Sequence, residues 1–144
     1  MLSNILIPVP VFSNTVSNSN CTKINSLTDE QFLEWFRGLV DGEGSFSIIP
    51  IKNYFSFRFS IYMHKDDAPM LEVVALRLKV GHINIGNHFV SYYVTSKDDI
   101  VSILRIFDRF PLNTSKNLNY LMWKKGYELY NRKTSRQISS EVAK

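Results

Sequence analysis

Apolar residues recur along this chain in blocks whose period changes, and the changes mark its elements. The first block opens at Thr28-Asp29-Glu30-Gln31, where a hydroxyl precedes two acids and a glutamine stands three places on. That order predicts a capped helix start, with the early acids at the positive end of the helix dipole. Phe32, Phe36, Leu39 and Val40 continue at helical spacing. After Gly44 the period becomes two. Ser45-Phe46-Ser47-Ile48 alternates, Pro50 and Asn53 mark a bend, and Phe55, Phe57, Phe59, Ile61 and Met63 then share one side of a second strand. Tyr54, Ser56, Arg58, Ser60 and Tyr62 share the other, so the pattern predicts a hairpin with one apolar and one polar face.

The cycle repeats. Leu71, Val74, Ala75 and Leu78 predict a helix over about 66–80, with Pro69 in its first turn and Gly81 to stop it. His82–Ile85, Gly86-Asn87 and His88–Thr95 predict a second hairpin whose inner positions are Ile83, Ile85, Val90, Tyr92 and Val94. A helix from Asp98 or Asp99 carries Ile100, Ile103, Leu104 and Phe107 and ends before Pro111. A last one runs from about Ser115 to Asn131 with Leu118, Leu121, Met122, Tyr127 and Leu129 as packing positions. The order αββαββα, followed by another helix, predicts an α+β domain: an antiparallel sheet with helices packed on one face. The expected domain is 27–132. Residues 1–26, rich in Asn and Ser, read as a flexible leader, a fusion remnant or a docking strand, and 133–144 as a polar tail or the start of a linker.

Composition narrows the class. The 144 residues carry 17 Lys and Arg against 13 Asp and Glu, a net charge of +4 that permits a polyanionic partner without requiring one. Cys21 is the only cysteine, which excludes an intrachain disulfide and a cysteine zinc site. No apolar stretch approaches the roughly 20 residues that span a bilayer, so a soluble protein without a membrane partner is expected. His64, His82 and His88 lack the spacing of a metal-ligand set, and neither a phosphate-binding glycine loop nor a nucleophile motif of the common covalent hydrolases is present.

The chemistry concentrates at Phe36-Arg37-Gly38-Leu39-Val40-Asp41-Gly42-Glu43-Gly44, at the end of the first helix. Gly38 and Gly42 each cost a helix interior about 1 kcal/mol, and four-residue spacing puts both on one side. Either that side meets another backbone closely, or Gly42 ends the helix and Gly38 is tolerated. This stretch, with the preceding amphipathic helix and the following strand, resembles the LAGLIDADG motif of homing endonucleases and maturases, over about 27–132. The resemblance implies the LAGLIDADG homing-endonuclease fold. It makes Gly38 and Gly42 the helix-pairing residues and Glu43 the acid that binds catalytic divalent metal, magnesium being expected. The family commonly has Asp at that position, and Glu supplies the same carboxylate oxygens. Asp41 is expected to orient or cap the helix end. One motif supplies half of a double-strand cutting site, so the chain is expected to act as a homodimer, with a second LAGLIDADG-containing chain, or as a descendant without nuclease activity.

The resemblance also implies a sheet seated on double-stranded DNA. The polar faces nominate Ser45, Ser47, Ser56, Arg58, Ser60, Tyr62, His82, Asn84, Ser91, Tyr93 and Thr95 as nucleic-acid-binding residues. Arg58 suits a guanine edge and Asn84 an adenine, although either suits phosphate or solvent as well. Phe110-Pro111-Leu112-Asn113-Thr114-Ser115-Lys116 looks like the loop before the last helix in mitochondrial-type members, where a lysine helps organise the active-site water. Lys116 is the matching residue; by position alone it is equally an exposed lysine at a helix start. The expected function is a site-specific, metal-dependent DNA endonuclease module. The alternatives are a maturase that binds group I intron RNA and a structural protein derived from the same fold. The family likeness places the protein in the mitochondrial matrix, where synthesis inside the organelle would need no import segment.

Overall fold

A computed structural model describes the backbone of residues 18–143 and the side chains of 21–132. Its elements are α1 (Asn18–Ser26), α2 (Asp29–Glu43), β1 (Gly44–Ile51), β2 (Tyr54–His64), α3 (Ala68–Leu78), β3 (His82–Ile85), β4 (Phe89–Val94), α4 (Lys97–Arg109) and α5 (Lys116–Ala143), with a 3-10 turn at Lys65–Asp67. Among the described residues the strands form one antiparallel sheet in the order β1-β2-β4-β3. The expected α+β class and alternation are met, with one helix more at the start. No helix among the described residues is long and apolar enough to cross a membrane.

The register explains the core. Phe46 pairs with Phe59 and Phe59 with Val94, while Ile61 pairs with Tyr92 and Tyr92 with Ile83, so the apolar positions of successive strands share one face. Phe36 and Val40 of α2, Leu71 and Val74 of α3, Ile103 and Phe107 of α4 and Tyr120 of α5 are buried with them. Each fully buried side chain of this size contributes roughly 1.5–3 kcal/mol. The centre is aromatic: Phe36 stacks on Phe107 at 5.8 Å, and Phe46 lies 5.3 Å from Phe59 and 5.4 Å from Tyr120. Phe55 and Ile85, expected inward, are exposed at the ends of their strands, where Phe55 meets only Tyr130 of α5 edge-on at 5.8 Å among ring contacts.

Three expectations are corrected. Residues 18–26, expected as part of a flexible leader, a fusion remnant or a docking strand, instead form a helix, and α1 places Cys21 and Ile24 in the core. The Arg77 guanidinium of α3 donates to the carbonyls of Ile24, Asn25 and Leu27 at 3.0, 3.3 and 2.8 Å, satisfying the end of α1. Residues 1–17 of the expected leader lie outside the described residues. The expected tail after 132 continues as helix to Ala143. Finally, α5 turns Tyr120, Trp123 and Tyr127 to the core and leaves Leu118, Leu121, Met122 and Leu129 exposed. Tyr120, Trp123 and Tyr127 pack on the rings of Phe46, Phe107 and Phe57, and their polar ends are satisfied: Trp123 Nε1 donates to Ser47 O at 2.9 Å and Tyr120 Oη to Asp108 Oδ1 at 2.9 Å.

The loop that leads from α3 into β3 follows local chemistry. Lys79 in the left-handed region (φ 61°) ends α3, and Gly81 follows at φ 91°. A Cβ at Gly81 would lie 2.7 Å from the Tyr92 ring, whose hydroxyl donates to Val80 O at 2.8 Å. Glycine is required there on both counts.

Candidate functional site

Helix α2 starts as its sequence dictates. Thr28 Oγ1 accepts from Gln31 N at 3.2 Å, and Gln31 Oε1 accepts from Thr28 N at 3.0 Å, completing the capping box. The motif Phe36–Gly44 spans its last turns and the first residue of β1. Phe36 and Val40 face the sheet, whereas Gly38 and Gly42 are exposed, and a Cβ on either would meet nothing within 4 Å. This is an open strip of backbone on the side away from the core. Gly44 is the opposite case: a Cβ there would stand 2.5 Å from Val40 Cγ1 and 2.9 Å from Val40 O. Only glycine lets the chain turn this sharply from helix to strand, which fixes where the motif's acids end up.

Both acids of the motif sit at the negative end of the helix dipole, and the last turn contains no basic residue. They meet that penalty differently. Asp41 Oδ1 accepts from Asn113 N at 3.0 Å, Thr114 N at 3.1 Å and Thr114 Oγ1 at 2.9 Å, and Oδ2 lies 3.1 Å from Asn113 N. Partial burial pushes the Asp41 carboxyl up, but these hydrogen bonds and the Arg37 charge outweigh it and hold it below the ordinary carboxylate range. Glu43 is exposed, and its carboxylate makes no hydrogen bond or ion pair among the described residues. Lys116 begins α5, half-buried, and its N–H donates to Thr114 Oγ1 at 3.2 Å. The loop that carries Lys116 is therefore tied to the end of α2 that carries Glu43.

The outer face of the sheet is built in rows. Ser45, Ser60, Tyr93 and His82 lie side by side across all four strands, Tyr62, Ser91 and Asn84 form a second row, and Ser47 pairs with Arg58. Arg58 Cζ stands 4.5 Å over the Tyr93 ring, and the His82 ring lies 5.5 Å from Tyr93. Ser45, Tyr62, His82 and Asn84 are exposed, while Ser47, Ser56, Arg58, Tyr93 and Thr95 are half-buried. Ser60 and Ser91 are corrected: they share the face but are only 4% and 5% exposed, because these small side chains on the two inner strands lie among larger neighbours. Asn113 and Thr114 were not singled out as functional residues from the sequence. A threonine just before a predicted helix start was the available signal, as a cap candidate.

Comparison with known proteins fits this geometry. The profile of the family described as LAGLIDADG endonuclease matches residues 36–127, well over half of the chain. The chain belongs to the LAGLIDADG endonuclease family. It is 28% identical over 115 residues to the probable intron-encoded endonuclease Cox1-I1b of Schizosaccharomyces pombe, covering 75% of this chain and 30% of that protein. It is 33% identical over 110 residues to the uncharacterized mitochondrial protein RF1 of Saccharomyces cerevisiae, covering 74% and 23%. Its fold matches the I-SmaMI LAGLIDADG homing endonuclease bound to cleaved DNA, with a TM-score of 0.65 and 32% identity, covering 71% of this chain and 37% of that one. The chain thus spans well under half the length of these relatives.

Proposed function

We propose that this chain is one half of a site-specific, divalent-metal-dependent DNA endonuclease that pairs through α2 with a second LAGLIDADG motif. The observation that carries the reading is the end of α2: an exposed, unengaged Glu43 beside an open Gly38/Gly42 strip, at the margin of a polar sheet face. Backbone exposed on both glycines lets a second helix approach more closely than the usual 8–10 Å or so between axes. Pairing brings a second acid to the first. The chain covers about a third of a relative solved on cleaved DNA, which supports a half-site and favours DNA over intron RNA.

The donor set tests the metal. Carboxylate oxygens suit a hard cation such as magnesium, but the described residues contain no group of three or more His, Cys, Asp or Glu that could hold one. Asp41 is already engaged by its loop. Glu43 fits in kind and falls short in number, which two paired motif ends and a phosphate oxygen would supply. When bound, a divalent cation offers positive charge to the scissile phosphate and its leaving oxygen. Glu43 holds and orients that charge, and the Lys116 ammonium stabilises the phosphate or a neighbouring water. Arg58, His82, Asn84, Tyr62 and Tyr93 contact base edges and backbone, with Ser45, Ser47, Ser56 and Thr95 at the margins. The mitochondrial relative supports action in the mitochondrial matrix.

The test is cleavage of a randomised DNA library with magnesium. The expected products are double-strand breaks at one sequence, lost in Glu43→Gln and in the presence of a chelator. Equal background cutting by both proteins would end the reading.

A further inference from the structure

The Asp41 carboxylate takes no part in the reading above beyond being occupied, yet it is the most heavily engaged polar group of the motif. It receives three donors from two consecutive residues that lie 72 and 73 positions further along the chain. Those residues are not otherwise buried: Asn113 and Thr114 are both exposed. Thr114 then works in two directions. Its hydroxyl donates to Asp41 Oδ1 at 2.9 Å and accepts from Lys116 N at 3.2 Å, while its carbonyl accepts from Asn117 N at 2.9 Å. Asp41 therefore grips Thr114, two residues before α5, and Lys116 is the first residue of that helix. Arg37 adds a longer contact to Pro111 O at 3.5 Å. An acid at the negative end of a helix is unfavourable unless donors are aimed at it. These donors come from the lysine loop.

We propose that Asp41 is the positioning residue for Lys116: its carboxylate holds the Asn113–Lys116 segment against the end of α2, so that the lysine and Glu43 act at one phosphate. The inference rests on the endonuclease reading for the role of Lys116, and on the hydrogen bonds alone for the latch. Asparagine at 41 offers one acceptor oxygen where aspartate has two, and brings an amide N–H toward the Asn113 N–H. It retains part of the grip; alanine retains none.

Two measurements separate the latch from the chemistry. In the protein alone, amide exchange at Asn113 and Thr114 accelerates in Asp41→Ala, less in Asp41→Asn, while core amides such as those of Phe59 and Tyr92 keep their protection. Unchanged exchange at Asn113 and Thr114 overturns the proposal whether or not the protein cuts DNA. In single-turnover cleavage of the sequence selected from the library, Asp41→Ala slows the cut roughly 100-fold, the scale of a 1 Å misplacement of a reacting group. The dissociation constant for that DNA stays within about twofold, since Asp41 positions a group that acts on the phosphate during the cut. Asp41→Ala combined with Lys116→Ala is no slower than Lys116→Ala alone, because the latch has nothing left to position. Losses that multiply, or a weakening of binding as large as the loss of rate, overturn it. If exchange responds but the wild-type chain cuts no DNA, the latch stands, the endonuclease reading has failed and the Lys116 role falls with it.

Discussion

Replacing Arg77 by methionine keeps the aliphatic stem and removes the guanidinium, whose partners set the expected loss. Nη1 faces the carbonyls of Leu27, Ile24 and Asn25 at 2.8, 3.0 and 3.3 Å, but it has only two hydrogens, so these three acceptors share two bonds. Hydrogen bonds to a charged donor contribute roughly 1.5–3 kcal/mol each. The guanidinium also stands 4.7 Å over the buried Phe32 ring, worth about 1 kcal/mol. The Nη2 contact to Asp29 at 3.0 Å adds little, because the Asp29 carboxylate is fully exposed. Water reaches the end of α1 at Asn25 and Ser26 and replaces part of what is lost. The expected net destabilisation is about 2–4 kcal/mol. For a domain of this size that lowers the melting temperature by roughly 8–15 °C. Urea unfolding measures it directly, and amide exchange locates it in α1 and the first turn of α2. Arg77→Lys should recover less than half, since the lysine nitrogen stops where the guanidinium carbon stands, short of the Nη1 position, and has no planar face to lay over Phe32. A loss below about 0.5 kcal/mol, or one no larger than that of Asp29→Asn, would refute the claim that Arg77 ties α1 into the fold.

Two further substitutions test the site and the core. Gly38→Leu should raise the stability of the isolated chain by roughly 0.8 kcal/mol through helix propensity, since its Cβ meets nothing, while abolishing pairing in sedimentation and cleavage of DNA. Pairing that survives the substitution would show that the open strip is not the contact. Glu72 is buried in α3, and burial pushes its carboxyl up. Because the folded value lies above the unfolded one, its contribution to stability is fully present below about pH 4.3 and is lost as pH rises through the folded value. Glu72→Gln should therefore gain on the wild type in urea midpoint between pH 4.5 and 7; a difference that stays constant over that range would contradict this.

Local chemistry made much of the fold readable. The Thr28–Gln31 capping box needs only four consecutive residues, and the alternation from Tyr54 to His64 reflects a strand whose two faces meet different surroundings. Helix α1 was missed because Asn18–Ser26 has few apolar positions, and its end is satisfied from Arg77, 50 to 53 residues away. In α5 two stripes have helical spacing, one of leucine and methionine and one of aromatics. The choice between them depends on the rings of Phe46, Phe57 and Phe107 that β1, β2 and α4 present to α5, with a β1 carbonyl and an α4 carboxylate placed to satisfy Trp123 and Tyr120. Ser60 and Ser91 were assigned to the right face and the wrong exposure, since alternation says which way a side chain points and nothing about the size of its neighbours.

The sequence by itself determined the motif, its place at a helix end, the polar and apolar faces of both hairpins, and the glycines at Gly38, Gly42 and Gly44. All of these depend on residues within a few positions of one another. The tertiary structure decided what the motif's acids do. It left Glu43 exposed and unengaged, and it bound Asp41 to a loop more than seventy residues away. Spacing alone cannot distinguish two carboxylates two positions apart at the same helix end. Their difference arises only when the folded chain brings hydrogen-bond donors to one and leaves the other open.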